Sequence, residues 1–235
     1  MSGTISLNRP MFQTNASKKK LLQAECWVFD LDNTLYPATS GVFAQIDRKM
    51  ALFISEFLDL DSEQANHLRK DYYRDYGTTL AGLMANHGME PDGFLDYVHD
   101  IDLGGLTPSP ALDEALARLP GRKIIYTNGP AGRAQEVLER ISIHRHFDDV
   151  FDIIRADFVP KPDPKAFDAL VRHYRLNPPD TVMVEDLARN LEPAAALGMT
   201  TVWIKTESEI EANQSAKNVD HVVDDLAAWL AALTR

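Results

Sequence analysis

The sequence predicts an α/β fold: a parallel sheet sandwiched by helices, with an all-helical domain inserted after the first strand. Short apolar runs alternate with amphipathic helical patterns over most of the 235 residues, which is typical of a parallel sheet covered on both faces. Residues 37–107 contain no strand-like run, and this stretch is too long for an ordinary loop. We therefore expect a core of residues 22–36 and 108–235, and a smaller helical domain at residues 37–107.

Six segments have the composition and length of buried strands. The first reads AECWVFD and ends at Asp30. The expected strands cover residues 24–30, 122–127, 150–155, 181–184, 200–204 and 221–223.

Helical patterns with recognisable ends separate these strands. Ser109 is suited to cap a helix whose first residue is Pro110, because its hydroxyl accepts a free backbone N–H and proline fits the first helical position. Another helix is expected after Gly132. Further helical patterns cover residues 166–174 and 194–197.

The inserted stretch has helical spacing throughout. Apolar residues recur at helical intervals over residues 42–57. Asp61 and Gln64 resemble a capping box at the start of the next helix, which Gly77 ends. Shorter helices are expected at residues 80–86 and 91–98.

Composition limits the classes of partner and location. Lysine and arginine total 24 against 35 acids, and the net charge of -11 argues against binding to nucleic acid polymers or anionic membranes. Cys26 is the single cysteine and cannot form an internal disulfide. No apolar run is long enough to span a membrane, and residues 1–21 lack the apolar centre of a secretory signal. We expect a cytoplasmic monomer or homodimer whose residues 1–21 form a flexible extension.

Two carboxylates, Asp30 and Asp32, directly follow the first predicted strand. The carboxyl ends of parallel strands are where such sheets bind ligands. One carboxylate there can attack phosphorus as a nucleophile, and the other can protonate a leaving alkoxide and then activate water. The alternative is a pair of turn carboxylates, since aspartate is common in turns.

Three more polar segments follow later strands. Thr127-Asn128-Gly129 can bind phosphate oxygens through a hydroxyl and backbone N–H groups. Lys161 is followed by two prolines in the segment KPDP, and a fixed ammonium there can balance phosphoryl charge. Glu185-Asp186, with Asn190 four residues on, offers the hard oxygen ligands that suit Mg²⁺. Each segment alone could be a turn or a helix cap, but parallel strands bring all of these ends to one edge of the sheet.

These segments resemble, in order, the four signature motifs of the haloacid dehalogenase superfamily over residues 24–235. The resemblance implies a Rossmann-like core, with Asp30 as nucleophile and Mg²⁺ ligand. It implies Asp32 as general acid/base and as a Mg²⁺ ligand through its backbone carbonyl. The implied phosphate-binding residues are Asp30, Leu31, Asp32, Thr127, Asn128 and Lys161, and Asp186 would also ligate Mg²⁺, with Glu185 or Asn190 in direct contact or acting through water.

Two positions refine the resemblance. Many members of the superfamily carry a second aspartate where this chain has Asn190, whose amide can still hold a metal-bound water. An aspartate at position 32 favours phosphoryl transfer over dehalogenation, because an alkoxide leaving group needs a proton and a halide does not.

The helical insert is similar to the caps of the superfamily's first cap class, which close over small substrates. The segments DNTLYP (residues 32–37) and YGTTLAGLM (residues 76–84) resemble the pyrimidine 5′-nucleotidase group. That resemblance implies hydrolysis of pyrimidine nucleoside 5′-monophosphates such as UMP and CMP. Within the cap, Tyr72, Tyr73 and Tyr76 could stack on the base, and Thr78 or Thr79 could hydrogen-bond it. The alternative is that most of the tyrosines here belong to the core of the cap.

Other functions are compatible with the same core residues. The chain could be a phosphatase for a sugar phosphate or phosphoglycolate, or a phosphosugar mutase. A non-catalytic binding protein is disfavoured because Asp30, Asp32 and Lys161 are all present.

Overall fold

The structure of the chain, a computed structural model, describes residues 15–205 and 218–235. Six strands form one sheet with the order β3-β2-β1-β4-β5-β6, and every neighbouring pair is parallel. The predicted α/β class is confirmed, and each of the six predicted strand segments overlaps a strand. The strands are β1 (Cys26–Phe29), β2 (Arg122–Tyr126), β3 (Asp149–Phe151), β4 (Thr181–Glu185), β5 (Thr200–Ile204) and β6 (His221–Val223).

Ten α-helices lie in the described part of the chain. Five of them, α2 to α6, stand between β1 and β2, and α2 to α5 lie within the predicted insert, residues 37–107. The helices are α1 (Asn15–Leu22), α2 (Val42–Leu58), α3 (Ser62–Tyr76), α4 (Thr79–His87), α5 (Pro91–His99), α6 (Pro110–Arg118), α7 (Ala131–Arg140), α8 (Pro164–Tyr174), α9 (Ala188–Ala196) and α10 (Leu226–Leu233).

Local capping chemistry explains where several helices begin. Asp61 and Gln64 form the predicted capping box at the start of α3, with reciprocal hydrogen bonds of 2.8 and 3.1 Å. These bonds satisfy backbone N–H groups that have no partner inside the helix. Ser109 accepts from the backbone N–H of Leu112 at the start of α6, where Pro110 is the first helical residue.

The sheet is covered on both faces. Trp27 and Phe29 of β1 pack into a cluster formed with α6, α7 and α10, whereas Cys26 and Val28 point to the opposite face and pack with α8 and α9. All four side chains are buried, because successive residues of a strand alternate between the faces. This explains why β1 is a continuous apolar run rather than an alternating one.

The helical insert has an apolar cluster of its own. Ile54, Leu83 and Phe94 are buried together with other residues of α2 to α5, and Ile153 joins them from the loop after β3. The insert therefore has an internal core and also packs against the sheet domain near the carboxyl end of β3.

The position of β1 determines where ligand-binding residues can gather. β1 pairs with β2 on one side and with β4 on the other, so the strand order reverses its direction at β1. A crevice forms outside the carboxyl ends of the strands at such a switch point. The residues that follow β1, β2 and β4 consequently face one another.

Two expectations are wrong in part. Residues 15–21 belong to helix α1, in which Leu21 is buried in the core and Lys18 donates to the carbonyl of Ala232 at 3.0 Å. The apolar end of this segment anchors it, so it is not a flexible extension. Residues 1–14 lie outside the described residues.

The predicted strand over residues 150–155 ends at Phe151. Asp152 stops it, because its carboxylate accepts from the backbone N–H groups of Ala131 and Arg155 at 2.8 and 2.9 Å and stabilises a turn. Ile153 then packs into the insert, while Ile154 is exposed. Across the described ranges, the structure contains no helix with the length and apolar character that a bilayer crossing requires.

Candidate active site

The predicted site residues gather at the carboxyl edge of the sheet. Asp30 follows β1, Thr127 follows β2, and Glu185 ends β4 directly before Asp186. Lys161 reaches this edge from the loop between β3 and α8. All five side chains are buried. The charges of the three acids and the lysine therefore interact in a medium that screens them poorly.

Lys161 is the centre of the charged cluster. Its Nζ donates to Asp30 Oδ1 at 2.7 Å, to Glu185 Oε1 at 2.9 Å and to the carbonyl of Tyr126 at 2.9 Å. These three acceptors use the full donor capacity of an ammonium group. Burial lowers the pKa of Lys161, but the Asp30 and Glu185 carboxylates raise it by a larger amount. The net result is a pKa above the ordinary lysine value. The side chain is therefore a fixed positive charge.

Asp30 is held by two side-chain donors. Lys161 contacts one carboxylate oxygen, and the Thr34 hydroxyl donates to the other at 2.9 Å. Burial raises the pKa of Asp30 to about 7, with Glu185 and Asp32 acting in the same direction and Lys161 opposing them. The carboxylate is thus positioned at the sheet edge, and its ionisation depends on the positive charge placed beside it.

Three carboxylates are close enough to share a cation. Oxygen atoms of Asp30, Glu185 and Asp186 all lie within 4.8 Å of one another. Burial, followed by the charges of Glu185 and Asp30, raises the pKa of Asp186 well above its ordinary value. Three acids next to one ammonium leave excess negative charge, and a bound divalent cation would favour the ionised carboxylates.

Glu185 is occupied by protein donors to a greater degree than its neighbours. Its Oε1 accepts from Lys161 and from Asn190 Nδ2 (2.6 Å), and its Oε2 accepts from the backbone N–H of Leu187 at 2.7 Å. Burial raises the pKa of Glu185, but Lys161 and these hydrogen bonds outweigh it and lower the pKa below its ordinary value. Glu185 is therefore an ionised carboxylate, and it positions Lys161 and Asn190.

Asn190 supplies an independent sign that an oxygen-binding group belongs at this edge. Its Nδ2 is bonded to Glu185, whereas its Oδ1 is buried without a hydrogen-bond partner among the described residues. A buried unpaired acceptor is costly unless a ligand or water satisfies it. Mg²⁺ binds through carboxylate oxygens and keeps several waters, so the residues present fit this ion.

Asp32 lies beside the charged cluster and is less buried than Asp30. The phenol of Tyr36 donates to its Oδ1. Burial and the neighbouring Asp32 carboxylate raise the pKa of Tyr36 well above its ordinary value, so the phenol stays protonated as a donor. Asp32 and Thr127 both line a small cavity next to the site.

Two of the residues implied in phosphate binding have side chains that serve other purposes. The Leu31 side chain is buried in the core cluster. The Asn128 side chain pairs with the backbone of Lys161, accepting from its N–H at 2.9 Å and donating to its carbonyl at 3.3 Å. A phosphate contact from either residue would therefore come from its backbone N–H. Asn128 also fixes the loop that carries Lys161.

Comparison of the sequence with known protein families identifies the family of this chain. The sequence model of the haloacid dehalogenase-like hydrolases matches residues 25–198, which is most of the chain. The chain belongs to this family. The matched residues include every polar side chain of the site described above.

Relatives of this haloacid dehalogenase-like hydrolase include two curated proteins. Phosphate metabolism protein 8 of Saccharomyces cerevisiae is 27% identical over 211 residues, a match that covers 82% of this chain and 65% of the yeast protein. The chain thus spans less than the full length of that relative. Glyceraldehyde 3-phosphate phosphatase of Methanocaldococcus jannaschii is 32% identical over 194 residues, covering 75% of this chain and 83% of that protein.

A solved structure, the HAD phosphatase from Thermococcus onnurineus, has the same fold. Its TM-score is 0.60 at 18% identity, with 89% of this chain and 97% of that chain covered. At this identity the likeness concerns the fold, and the chemistry of the present site depends on its own residues.

The three insert residues that were predicted to contact a base make hydrogen bonds within the insert. Thr79 is buried and donates to the carbonyl of Arg69 at 3.2 Å, so its hydroxyl is used inside the insert. Thr78 caps α4 by accepting from the backbone N–H of Ala81 at 3.1 Å. Tyr76 is partly exposed and donates to Asn86 at 3.2 Å. Both threonines therefore have local structural roles, and a hydrogen bond from Thr78 or Thr79 to a base stays a prediction.

Three residues near the site, His99, Arg133 and Arg189, were not assigned to it from the sequence. The Arg189 guanidinium lies 4.2 Å from the ring centroid of Tyr73. This contact joins the insert to the segment that carries Asp186. His99 and Arg133 line the cavity next to Asp32. A tyrosine, a histidine and two arginines on separate helices carry no local signal of proximity, and only the packing of the insert on the sheet domain brings them together.

Proposed function

We propose that this hydrolase is a Mg²⁺-dependent phosphomonoesterase that forms an aspartyl phosphate on Asp30 and hydrolyses a small phosphorylated metabolite. The observation that carries the proposal is the buried contact of Lys161 with both Asp30 and Glu185, at 2.7 and 2.9 Å. This contact holds a carboxylate nucleophile beside a fixed positive charge at the ligand-binding edge of the sheet. Asp32 stands beside it as an acid/base, which a dehalogenase does not need.

The first step uses Asp30 and Asp32. A carboxylate oxygen of Asp30 attacks phosphorus, and the bond from phosphorus to the leaving oxygen breaks while Asp32 protonates that oxygen. The Tyr36 phenol holds Asp32 in place. Lys161 and the Thr127 hydroxyl stabilise the charge on the phosphoryl oxygens.

The second step returns the enzyme to its starting state. Asp32, now a carboxylate, removes a proton from water, which attacks phosphorus and releases inorganic phosphate from Asp30. Asp30 is then again held by Lys161 and Thr34. The two steps together hydrolyse a phosphate monoester without any oxidant or second substrate.

The acidic cluster is the proposed binding site for Mg²⁺. Asp30, Asp186 and the backbone carbonyl of Asp32 would hold the ion, while Asn190 Oδ1 would accept from one of its waters. When bound, the ion supplies positive charge that offsets the phosphoryl oxygens. Glu185 would act mainly through Lys161 and Asn190, because its oxygens already accept from protein donors.

Pyrimidine nucleoside 5′-monophosphates, UMP and CMP above all, are the substrates we propose first. The segments 32–37 and 76–84 that resemble pyrimidine nucleotidases support this choice. Glyceraldehyde 3-phosphate is a second candidate, supported by the archaeal relative that is named for this activity.

Phosphate release tests these proposals directly. Release is measured with and without Mg²⁺ for UMP, CMP, dUMP, dTMP, AMP, GMP, glyceraldehyde 3-phosphate, phosphoglycolate and several sugar phosphates. Turnover that requires Mg²⁺ and is highest for UMP and CMP supports the full proposal. Highest turnover on another substrate keeps the phosphatase and rejects the nucleotidase.

Two other outcomes identify different functions. A phosphosugar mutase would require a bisphosphate activator and would release little phosphate. A non-catalytic protein would turn over no substrate in the panel and would be indifferent to Asp30→Asn in cells. The first result replaces hydrolysis by phosphoryl transfer to a sugar, and the second overturns the proposed chemistry.

A further inference from the structure

A small cavity between the insert and the sheet domain adjoins the acid/base side of the site. Asp32, Thr127 and Gly129 line it from the sheet domain, together with Arg133 of α7, and His99 lines it from the end of α5. The remaining wall is apolar. Its free volume is about 10 Å³, which is room for about one water molecule. The cavity is therefore of a size to take one polar substrate atom and is too small for a base or a sugar ring.

The hydrogen-bonding state of His99 can be assigned from its backbone contact. His99 Nδ1 lies 2.9 Å from the carbonyl of Leu95, and a carbonyl can only accept, so Nδ1 carries a hydrogen. Burial lowers the pKa of His99 below its ordinary value, although the nearby Asp32 acts in the opposite direction. In the neutral ring Nε2 is then an acceptor.

Gly129 explains how the histidine comes close to the site. His99 Nε2 and Thr127 Oγ1 each lie 3.4 Å from the point where a Cβ on Gly129 would stand. The absence of a side chain at position 129 lets the imidazole of the insert approach the phosphate-binding threonine of the sheet domain. The acceptor nitrogen of His99 thus lies beside Gly129 and Thr127, at the edge of the proposed phosphate site.

Arg133 faces the cavity with unused donor capacity. Its Nη1 donates to Glu136 at 2.7 Å and its Nη2 donates to the carbonyl of Ile101 at 3.1 Å. Its Nε is buried and has no hydrogen-bond partner among the described residues. A buried N–H without an acceptor is unfavourable, so a ligand that accepts from Arg133 would be stabilised.

We propose that this cavity binds one hydroxyl group of the leaving alcohol, with Arg133 donating to the hydroxyl oxygen and His99 Nε2 accepting its hydrogen. The inference rests on the proposed phosphatase function of Asp30 and Asp32. One donor and one acceptor across a space of this size match a group that is both acceptor and donor. The hydroxyl nearest the ester oxygen, as in a sugar, a nucleoside or glycerol, is the group selected.

The donor and the acceptor of the cavity disfavour other substituents. A carboxylate at the same place could accept from Arg133, but it has no hydrogen to donate to His99 Nε2 and would face the lone pair of that nitrogen. A methylene group would leave Arg133 and His99 without partners. Phosphoglycolate and simple alkyl phosphates are therefore expected to be poorer substrates than hydroxylated esters of the same size.

The test compares two matched substrate pairs. One pair is UMP and 3′-deoxyuridine 5′-monophosphate, and the other is glycerol 3-phosphate and 3-hydroxypropyl phosphate, which lacks the hydroxyl at the middle carbon. The measured quantity is the ratio of kcat/KM for the hydroxylated member over its deoxy partner. We expect a ratio of about tenfold or more for the wild-type enzyme in at least one pair, because a site built to bond a hydroxyl rejects the analogue without it.

Substitution of the cavity residues should remove this preference. In His99→Leu and Arg133→Met the ratio is expected to fall to about one to threefold, because each variant removes one of the two hydrogen bonds to the hydroxyl. His67→Leu and Arg118→Met are the matched controls. His67 makes the same contact to the carbonyl four residues earlier on the surface of α3, and Arg118 makes an exposed ion pair with Glu114 on α6.

The possible results separate the inference from the function on which it rests. If the wild-type enzyme with Mg²⁺ releases no phosphate from phenyl phosphate or from either pair, the proposed function itself is wrong. If phosphate is released but the ratio is near one, or is the same in wild type, His99→Leu and Arg133→Met, the hydroxyl subsite is rejected. Arg133→Leu and His99→Phe, which also remove the donor and the acceptor, replace any variant that does not fold, and an undiminished ratio in both also rejects it.

Discussion

Lys161 and Asp30 form a buried ion pair in which Nζ lies 2.7 Å from Oδ1. The same ammonium contacts Glu185 on the neighbouring strand at 2.9 Å, so one lysine links the ends of β1 and β4. Removing a single partner of a buried charge cluster leaves the others uncompensated. We therefore expect substitutions in this cluster to change both the catalytic activity and the free energy of unfolding.

Lys161→Met should damage folding and catalysis together. We expect the free energy of unfolding to fall by about 3–5 kcal/mol because two acids lose their buried partner. We expect kcat/KM to fall at least about a hundredfold through lost charge stabilisation. Urea denaturation and phosphate release measure the two effects. Lys165→Met, four residues on at an exposed position, is the charge-matched control, and equal behaviour of the two variants would contradict the assignment.

Asp30→Asn and Asp32→Asn should fail at different steps. Asp30→Asn removes the nucleophile, so no phosphoenzyme should form with any substrate. Asp32→Asn should retain the attack on p-nitrophenyl phosphate, whose leaving group needs no proton, but should lose the base that activates water. Mass spectrometry of acid-quenched protein should then detect phosphorylated enzyme in Asp32→Asn only. Phosphoenzyme in Asp30→Asn would refute the nucleophile.

The stability of the metal-free enzyme should fall as the pH rises. The pKa of Asp30 is about 7 in the folded protein, against an ordinary value of 3.8, and that of Asp186 is raised as well. The native state therefore binds more protons than the unfolded state between these values, and this contribution is lost as the pH rises through about 7. Glu185 has a lowered pKa and acts in the opposite direction only at lower pH.

Mg²⁺ should reverse this trend because it competes with protons for the same carboxylates. We expect the increase in Tm caused by Mg²⁺ to be larger at pH 8 than at pH 5.5. Scanning calorimetry with EDTA or Mg²⁺ at several pH values tests this, and Asp30→Asn should flatten the pH dependence. A Tm that is independent of Mg²⁺ at pH 8 would count against the metal site.

Tyr36→Phe should impair esters that need a proton on the leaving oxygen. The phenol of Tyr36 donates to Asp32, and its loss frees the acid/base to move. We expect kcat on an alkyl phosphate to fall about tenfold, with a smaller loss on p-nitrophenyl phosphate. Tyr174→Phe removes a similar phenol–carboxylate bond, to Asp149 at 3.0 Å, away from the site. An equal loss on both substrates would indicate a purely structural role.

Gly77 should be important for activity because it lies against the loop that carries Lys161. Its φ is +83°, and an added Cβ would stand 3.2 Å from the carbonyl of Lys161 and 3.3 Å from Pro160. Gly88 has a φ of +60° with nothing within 4 Å of the added atom. Both alanine variants should lose about 1 kcal/mol of stability from the left-handed backbone. Only Gly77→Ala should lower kcat/KM, by displacing the Lys161 loop, and equal activities would contradict this.

Much of the fold could be predicted because its signals are local. Apolar runs of strand length identified the six strands, and capping residues such as Asp61 and Ser109 predicted where helices begin. The errors occurred where a residue's partner is distant in sequence. Leu21 is buried by a core that the N-terminal segment alone does not reveal. Asp152 ends β3 through a backbone N–H at Ala131.

The candidate site divides in the same way. The order of Asp30, Thr127, Lys161 and Asp186 along the chain predicted their convergence, because parallel strands bring their carboxyl ends to one edge. The contacts that the individual side chains make could not be predicted from the sequence. Asn128 was expected to bind phosphate, but its side chain fixes the Lys161 backbone. Thr78 or Thr79 was expected to contact a base, and the sequence did not show that the Thr79 hydroxyl donates to Arg69 within the insert.

The sequence by itself determined the class of fold, the helical insert and the residues that gather at the sheet edge, since periodicity and motif order are properties of the chain. Only the tertiary structure decided which groups touch: Tyr36 on Asp32, Glu185 on Lys161, and His99 of the insert facing the sheet domain across Gly129. The physical reason is that hydrogen bonds and burial depend on the separation of atoms in space, and residues far apart in sequence acquire that separation only when the insert packs against the sheet.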